Sequence, residues 1–189
     1  MKTLLYISYW LLNAIWLTLQ GVAFWKVHCY GFLFVSNKGT FKLGEDFLVN
    51  SHRFANIIGS GSSSSIMIGK NAQLTIGVNV GFSNSTICCR EEITIGDHTI
   101  IGGNCKIWDT DFHPTSIEQR TIDIDSNAKT SPIHIGKYVF IGAESIVMKG
   151  VSIGDFAVIG AGSVVRTNIP ENEVWAGNPA VFVKKLSKK

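Results

Sequence analysis

Between residues 135 and 170 every sixth position is aliphatic and branched: Ile135, Ile141, Val147, Ile153, Ile159 and Val165. A small residue follows most of them, as at Gly136, Gly142, Gly154 and Gly160. A period of six fits neither the 3.6 of a helix nor the 2 of a strand. It marks a short internal repeat. Each unit can hold one short strand and one turn, and three units close a triangular coil of about 18 residues. The branched residue points inward, and the small residues permit tight corners. Successive coils pair through their backbones at about 4.8 Å. The pattern predicts a parallel β-helix.

The same signature recurs upstream, in Ile66-x-Ile68-Gly, Leu74-x-Ile76-Gly, Ile93-x-Ile95-Gly, Ile133-x-Ile135-Gly and Val151-x-Ile153-Gly. Ile76 to Ile95 is 19 residues, one more than a coil, and a bulge or loop between Cys88 and Glu92 would absorb the surplus. Ile95, Ile101 and Ile107 then run in phase. The next position in that phase is His113, where an inward aliphatic residue is due. The repeat resumes only at Ile133. His113 to Ile135 is 22 residues, four beyond a coil, and residues 114–131 are polar and rich in turn formers. An extended loop, 113–132, is predicted there; long excursions from a compact fold are usually functional. Before the repeat, Phe32-Leu-Phe-Val35 and Phe41-Lys-Leu43 read as short strands of irregular first coils, and Ser60-Gly-Ser-Ser-Ser-Ser65 as a turn or loop.

Residues 4–25 contain no charge and include Trp10, Trp16 and Trp25. The length approaches that of a membrane span, yet Asn13, Thr18, Gln20 and Gly21 dilute it. Leu5, Leu12, Ile15, Trp16 and Leu19 fall near one helical face. The pattern favours a helix lying in a membrane interface, with packing against the β-helix or a neighbouring subunit, or spanning the bilayer, as the alternatives. The chain thus divides into an apolar N-terminal segment (1–35), a β-helix domain (36–186) and a basic tail (187–189). Trp175-Ala-Gly-Asn-Pro-Ala180 reads as a turn, and residues 181–189 as a short C-terminal extension, a strand or helix with a frayed basic tail.

Residues 135–170, followed by Trp175-Ala-Gly-Asn-Pro-Ala180, resemble the hexapeptide-repeat acyltransferases, in particular sugar and polysaccharide O-acetyltransferases. The resemblance covers residues 66–186. It implies an all-β fold, a left-handed parallel β-helix, against the usual right-handed crossover. It further implies a homotrimer with active sites between chains, acetyl-CoA as co-substrate, no required metal, and a sugar or glycan acceptor, free or lipid-linked.

Chemistry concentrates in Asp109-Thr-Asp-Phe-His-Pro114. Acyl transfer to a hydroxyl needs a base for the alcohol proton, and histidine titrates near neutrality. The resemblance assigns that role to His113. Asp111 or Asp109 would orient its ring, with a backbone carbonyl as the alternative. The resemblance places Asn84 against the acceptor or the reacting groups; a turn asparagine is the competing reading. It places coenzyme A along late corners at Ala143, Gly160 and Ala161, with Arg166 and Lys184 meeting phosphate. The family often has serine where Ala143 stands, so only backbone contact is expected there. His28, His52, His98 and His134 have no nucleophile or partner nearby in sequence.

Hydrophobic residues make up 46% of the chain and charged ones 16%, with the apolar excess before residue 36. A net charge of +3, dispersed along the chain, argues against nucleic acid as a partner. Cys29, Cys88, Cys89 and Cys105 form no Cys-x-x-Cys pair and suit a reducing cytosol. The expected enzyme is a cytoplasmic O-acetyltransferase, peripheral to the inner membrane face, serving capsular or cell-surface polysaccharide synthesis. Antibiotic and amino-sugar acetylation are the alternative reactions. A γ-carbonic-anhydrase-like hydrase lacks a converging histidine set, and a non-catalytic scaffold leaves the loop unexplained.

Overall fold

The computed structural model describes residues 2–59, 63–122 and 128–187, with side chains from Ser8 onward. The chain coils into a triangular prism whose walls are three sheets of eight, six and five strands. Pairing is parallel throughout the coils, each strand resting on its counterpart one turn earlier. The first face comprises Val27–Gly31, Phe47–Ser51, Gly81–Ser83, Ile100–Gly103, Phe140–Ile141, Val158–Ile159 and Glu173–Ala176, closed by an antiparallel Val181–Lys185. The second runs from Phe34–Asn37 to Val164–Val165, and the third from Thr40–Leu43 to Ser152–Ile153.

The registers explain the sixfold pattern. Ile101 pairs with Ile141 and Ile141 with Ile159, while Ile107 pairs with Val147 and Val147 with Val165. Like stacks on like, so each face sends a column of branched side chains inward. The columns merge into one continuous buried core. Burial of each such side chain contributes roughly 1.5–3 kcal/mol.

Coils begin earlier than the signature indicates. Val27–Gly31, Phe34–Asn37 and Thr40–Leu43 already form the first turn, which begins inside the segment 1–35 assigned to the N-terminal part. Phase is lost there because a second excursion, residues 52–64, leaves between Phe47–Ser51 and Ser65–Ile68. Ser65 belongs to a strand, and Ser60 to Ser62 lie outside the described residues. The surplus residue before Ile95 is accommodated after a lengthened strand, Thr86–Cys89, by a corner at Arg90 and Glu91.

The loop expectation is corrected in phase. Ile95 pairs directly with Ile135, in the place a six-residue count gives to His113. All of residues 109–132 therefore leave and re-enter at one corner, instead of forming a coil with four extra residues. The loop carries a short helix, α2 (Ile117–Ile122).

Helix α1 (Lys2–Leu19) lies across the open end of the first coil. Its inward side carries Asn13, Trp16, Leu17 and Gln20. The Asn13 amide donates to the Gly31 carbonyl (2.8 Å) and accepts from the Leu33 N–H (3.0 Å). The Gln20 side chain accepts from the Asn37 N–H (2.9 Å). Two of the polar residues that dilute the apolar run, Asn13 and Gln20, thus satisfy a terminal sheet edge, which would otherwise invite pairing. Among the described residues no helix is long and apolar enough to cross a membrane. At the far end Val181–Lys185 is a strand, and the turn after Trp175 occupies residues 177–180, Glu173–Ala176 being extended. Of the basic tail, residues 188–189 lie outside the described residues.

Candidate active site

Three edges join the three faces, and the candidate residues divide between two of them. The first edge, from face one to face two, carries Asn84, then Gly102, then Gly142 and Ala143, then Gly160 and Ala161, then Ala176 and Gly177. Side chains are excluded at its glycines. A Cβ on Gly102 would lie 2.6 Å from the Ala143 nitrogen, and one on Gly142 2.5 Å from the Ala161 nitrogen. The edge is consequently a strip of near-bare backbone. Buried serines hold it from within. Ser145 Oγ donates to the Gly160 carbonyl (3.1 Å), and Ser163 Oγ accepts from the Gly177 N–H (3.1 Å). Ser85 Oγ accepts from the Cys105 N–H (2.7 Å) in the same way. These serines escape a search for reactive groups, but the recurrence of Gly-Ala-x-Ser at Gly142 and Gly160 marks them in the sequence.

Asn84 stands at the head of this edge, in a left-handed corner (φ 45°) shared by Asn104, Glu144 and Gly162 higher up. Its N–H donates to the Asn50 carbonyl (2.7 Å), and its amide nitrogen faces the His52 carbonyl at 3.5 Å. The side chain is 1% exposed beneath the segment 52–59. Gly59 presses so closely that a Cβ there would come within 2.3 Å of Asn84 Cβ.

His113 emerges from the second edge. The two legs of its loop are zipped at the neck: the Asp111 N–H donates to the Lys129 carbonyl (2.9 Å), the Ser131 N–H to the Asp109 carbonyl (3.0 Å), and Thr110 bridges Thr130. His113 follows directly after this neck. Its N–H donates to the Asp111 carbonyl (2.7 Å), and its side chain is exposed while Pro114 is buried. Phe112 takes a left-handed φ of 62°, and its ring leans on Trp108.

The two carboxylates have separate employment. Asp109 is fully buried, and its oxygens accept the N–H groups of Arg90 (2.6 Å) and Glu91 (2.8 Å), bracing the adjacent coil. Asp111 pairs with Lys149 at 3.3 Å. Arg166 is exposed on the second edge, away from Ala143, Gly160 and Ala161. Lys184 is exposed opposite Val174, at the far end of face one. Within one chain, Asn84 and the alanine edge lie together; His113, Asp111 and Arg166 share the next edge.

Burial pushes the Cys29 and Cys89 thiols up to about 12. Cys88 and Cys105 are also raised by burial. Such thiols are poor nucleophiles near neutrality. His98 is an exposed corner residue stacked on Tyr138, and His134 points outward to Thr94 (2.9 Å). Among the described residues no group of three or more His, Cys, Asp and Glu could hold a metal. A hollow of about 500 Å³ outside face one, where Gly81 interrupts the outward column, includes neither His113 nor the alanine edge in its wall.

A β-helix with bare corners and an exposed histidine at a braced loop neck defines a class: hexapeptide-repeat proteins built as left-handed coils. The family model described as hexapeptide repeat of succinyl-transferase matches residues 132–166. Galactoside O-acetyltransferase of Lactococcus lactis is 38% identical over 119 residues, 63% of this chain and 55% of that protein. The provisionally named lipopolysaccharide biosynthesis O-acetyl transferase WbbJ of Escherichia coli is 32% identical over 159 residues, 82% of this chain and 76% of its own length. Galactoside acetyltransferase solved in complex with coenzyme A aligns with a TM-score of 0.52 at 30% identity, over 78% of this chain and 65% of that one. The chain belongs to the hexapeptide-repeat acyltransferase family. It spans about half the length of the galactoside O-acetyltransferases it matches.

Proposed function

We propose that the chain transfers the acetyl group of acetyl-CoA to a sugar hydroxyl by direct attack, with His113 as general base. One observation carries this reading: the imidazole is exposed immediately beyond a neck zipped on both legs, so the base is accessible and its backbone is fixed. The imidazole takes the hydroxyl proton as the oxygen attacks the thioester carbonyl. The carbonyl re-forms, the C–S bond breaks, and the proton passes from imidazolium to the departing thiolate. The pantetheine arm runs along the first edge past Ala143, Gly160 and Ala161, where the small residues leave room for it. Arg166 and Lys184 serve the phosphates.

His113 and the coenzyme edge lie on different edges of one prism, so the complete site forms between chains of a homotrimer. The outward column of face one supports this assembly: Leu48, Ile100 and Phe140 are large, apolar and exposed. Asn84 heads the coenzyme edge and sets its acceptor end. Asp111 acts on His113 through the neck and its pair with Lys149. The names of the galactoside O-acetyltransferases and of WbbJ favour a glycan acceptor and a place in cell-surface polysaccharide synthesis.

The test is thioester consumption from acetyl-CoA against galactosides, antibiotic alcohols, amino sugars and lipid-linked glycans. His113→Ala should keep its assembly mass and lose about 10²–10⁴ in rate. Near wild-type turnover by the folded variant removes His113 from the mechanism, and exclusive N-acetylation replaces the hydroxyl acceptor.

A further inference from the structure

Helix α1 is amphipathic in the unexpected sense. Its polar groups, Asn13 and Gln20, face the protein, while Leu11, Leu12, Ile15 and Leu19 form a stripe turned away from it. Ile15 is 62% and Leu19 73% exposed, although nothing in the core requires aliphatic residues there. Exposed Trp10 and Trp25 flank the stripe and share contact with the Phe24 ring. A contiguous apolar surface of this kind needs a partner.

Charge identifies the partner. The first 44 residues contain Lys2, Lys26, Lys38 and Lys42 and no Asp or Glu. Glu45 matches Lys26 (2.8 Å). Lys38 and Lys42 are exposed on the coil that α1 covers. An apolar stripe, interfacial tryptophans and adjoining cations together fit an anionic lipid surface.

This end also adjoins the acceptor end of the candidate site. Tyr9 of α1 touches the His52 ring (6.0 Å between centroids), and the His52 carbonyl faces Asn84. The segment between them exposes Phe54, with the Arg53 guanidinium 5.1 Å above its ring, and Ile57, which is 86% exposed. We propose that the outward stripe of α1 docks on an anionic phospholipid bilayer, holding the Asn84 end of the reaction edge at the lipid surface, where the acceptor is membrane-held. The acceptor part rests on the sugar-transfer reading above; the docking part does not.

The experiment uses the full chain and flotation with vesicles of phosphatidylcholine alone or with about 30% phosphatidylglycerol. The wild type should float with the anionic vesicles and remain below with the neutral ones. Leu12→Gln with Ile15→Gln should lower the bound fraction at least about tenfold, with unchanged sedimentation mass and unchanged transfer to a free galactoside. Lys38→Glu with Lys42→Glu should weaken flotation most at low salt. A wild type that ignores anionic vesicles overturns the proposal. So does a double glutamine variant whose assembly mass falls, since the stripe then belongs between copies of the chain. Flotation without sugar transfer leaves docking standing and refutes the proposed acetylation instead.

Discussion

Asp109 offers a sharp separation between holding the site and doing its chemistry. From the sequence it is a candidate to orient His113; in the structure both carboxylate oxygens are bound to backbone N–H groups of the neighbouring coil. Each bond to a buried charge contributes about 1.5–3 kcal/mol. Asp109→Ala removes both and leaves two N–H groups without their acceptor, a loss of roughly 3–6 kcal/mol. At about 2–4 °C per kcal/mol for a chain of this size, the melting temperature should fall by roughly 6–24 °C. Asp109→Asn keeps one acceptor oxygen but sets an amide N–H against the second backbone donor. Its loss should be about half as large, which keeps the measurement accessible if the alanine variant does not fold. Asp111→Asn breaks only the partly exposed pair with Lys149 and should cost about 0–1 kcal/mol.

Thermal unfolding followed by circular dichroism, beside acetyl transfer at a temperature where each variant is folded, separates the roles. The bracing account expects a large loss of stability at Asp109 with modest loss of kcat, and the reverse ordering at Asp111. An Asp109→Asn enzyme that melts with the wild type and has lost a hundredfold or more in kcat, on the order of a general-base defect, would refute it.

Lys184→Glu and Arg166→Glu should each raise KM for acetyl-CoA more than for its desphospho analogue, measured by initial rates, because each removes a phosphate partner; equal effects on both donors would return these side chains to solvent. Cys88→Ala and Cys89→Ala should retain transfer, and loss of activity in a folded variant would reopen the nucleophile question. The raised thiols also predict a pH dependence. The folded protein keeps protons on Cys29 and Cys89 up to about 12, while an unfolded chain loses them near 9.0. Their contribution is therefore fully present below about pH 8.5 and declines as pH rises toward 12. Denaturant titrations at rising pH should show that decline, with a shallower slope for Cys89→Ala.

The late coils were legible because nothing interrupts them. From Ile135 to Val165 each unit is one inward branched residue and a small corner, and the observed registers follow that count. The early coils were obscure for two physical reasons. The excursion 52–64 shifts the phase, and the first strands bury Leu33, Val35 and Phe47 without the Ile-Gly signature. The disappearance of the repeat marks the loop that carries His113. The six-residue count fails to place the loop's exit, because the chain leaves and re-enters at one corner and the column resumes with Ile135 on Ile95. Hydrogen bonding across that gap, not spacing, sets the neck. The commitments of Asp109 and Asn13 were equally invisible, since each depends on backbone groups roughly 18–20 residues away.

The inward positions carry no information about which face meets a partner, since all three faces present the same branched aliphatics. That information lies in the outward positions between them. Face three presents Lys42, Thr75, Thr94, His134 and Ser152 in register, a polar column suited to water. Face one presents Leu48, Ile100, Phe140 and Val158, with Gly81 leaving a recess in the column. A monomer would gain nothing from that difference. In an assembly of prisms it selects the face to be covered and leaves the polar face in water. Burial of face one would bring neighbouring prisms side by side, which the proposed reaction needs if the His113 loop of one chain is to meet the first edge of another. The repeat builds the column; the residues between its repeats distinguish the faces that a partner could cover from those that suit water.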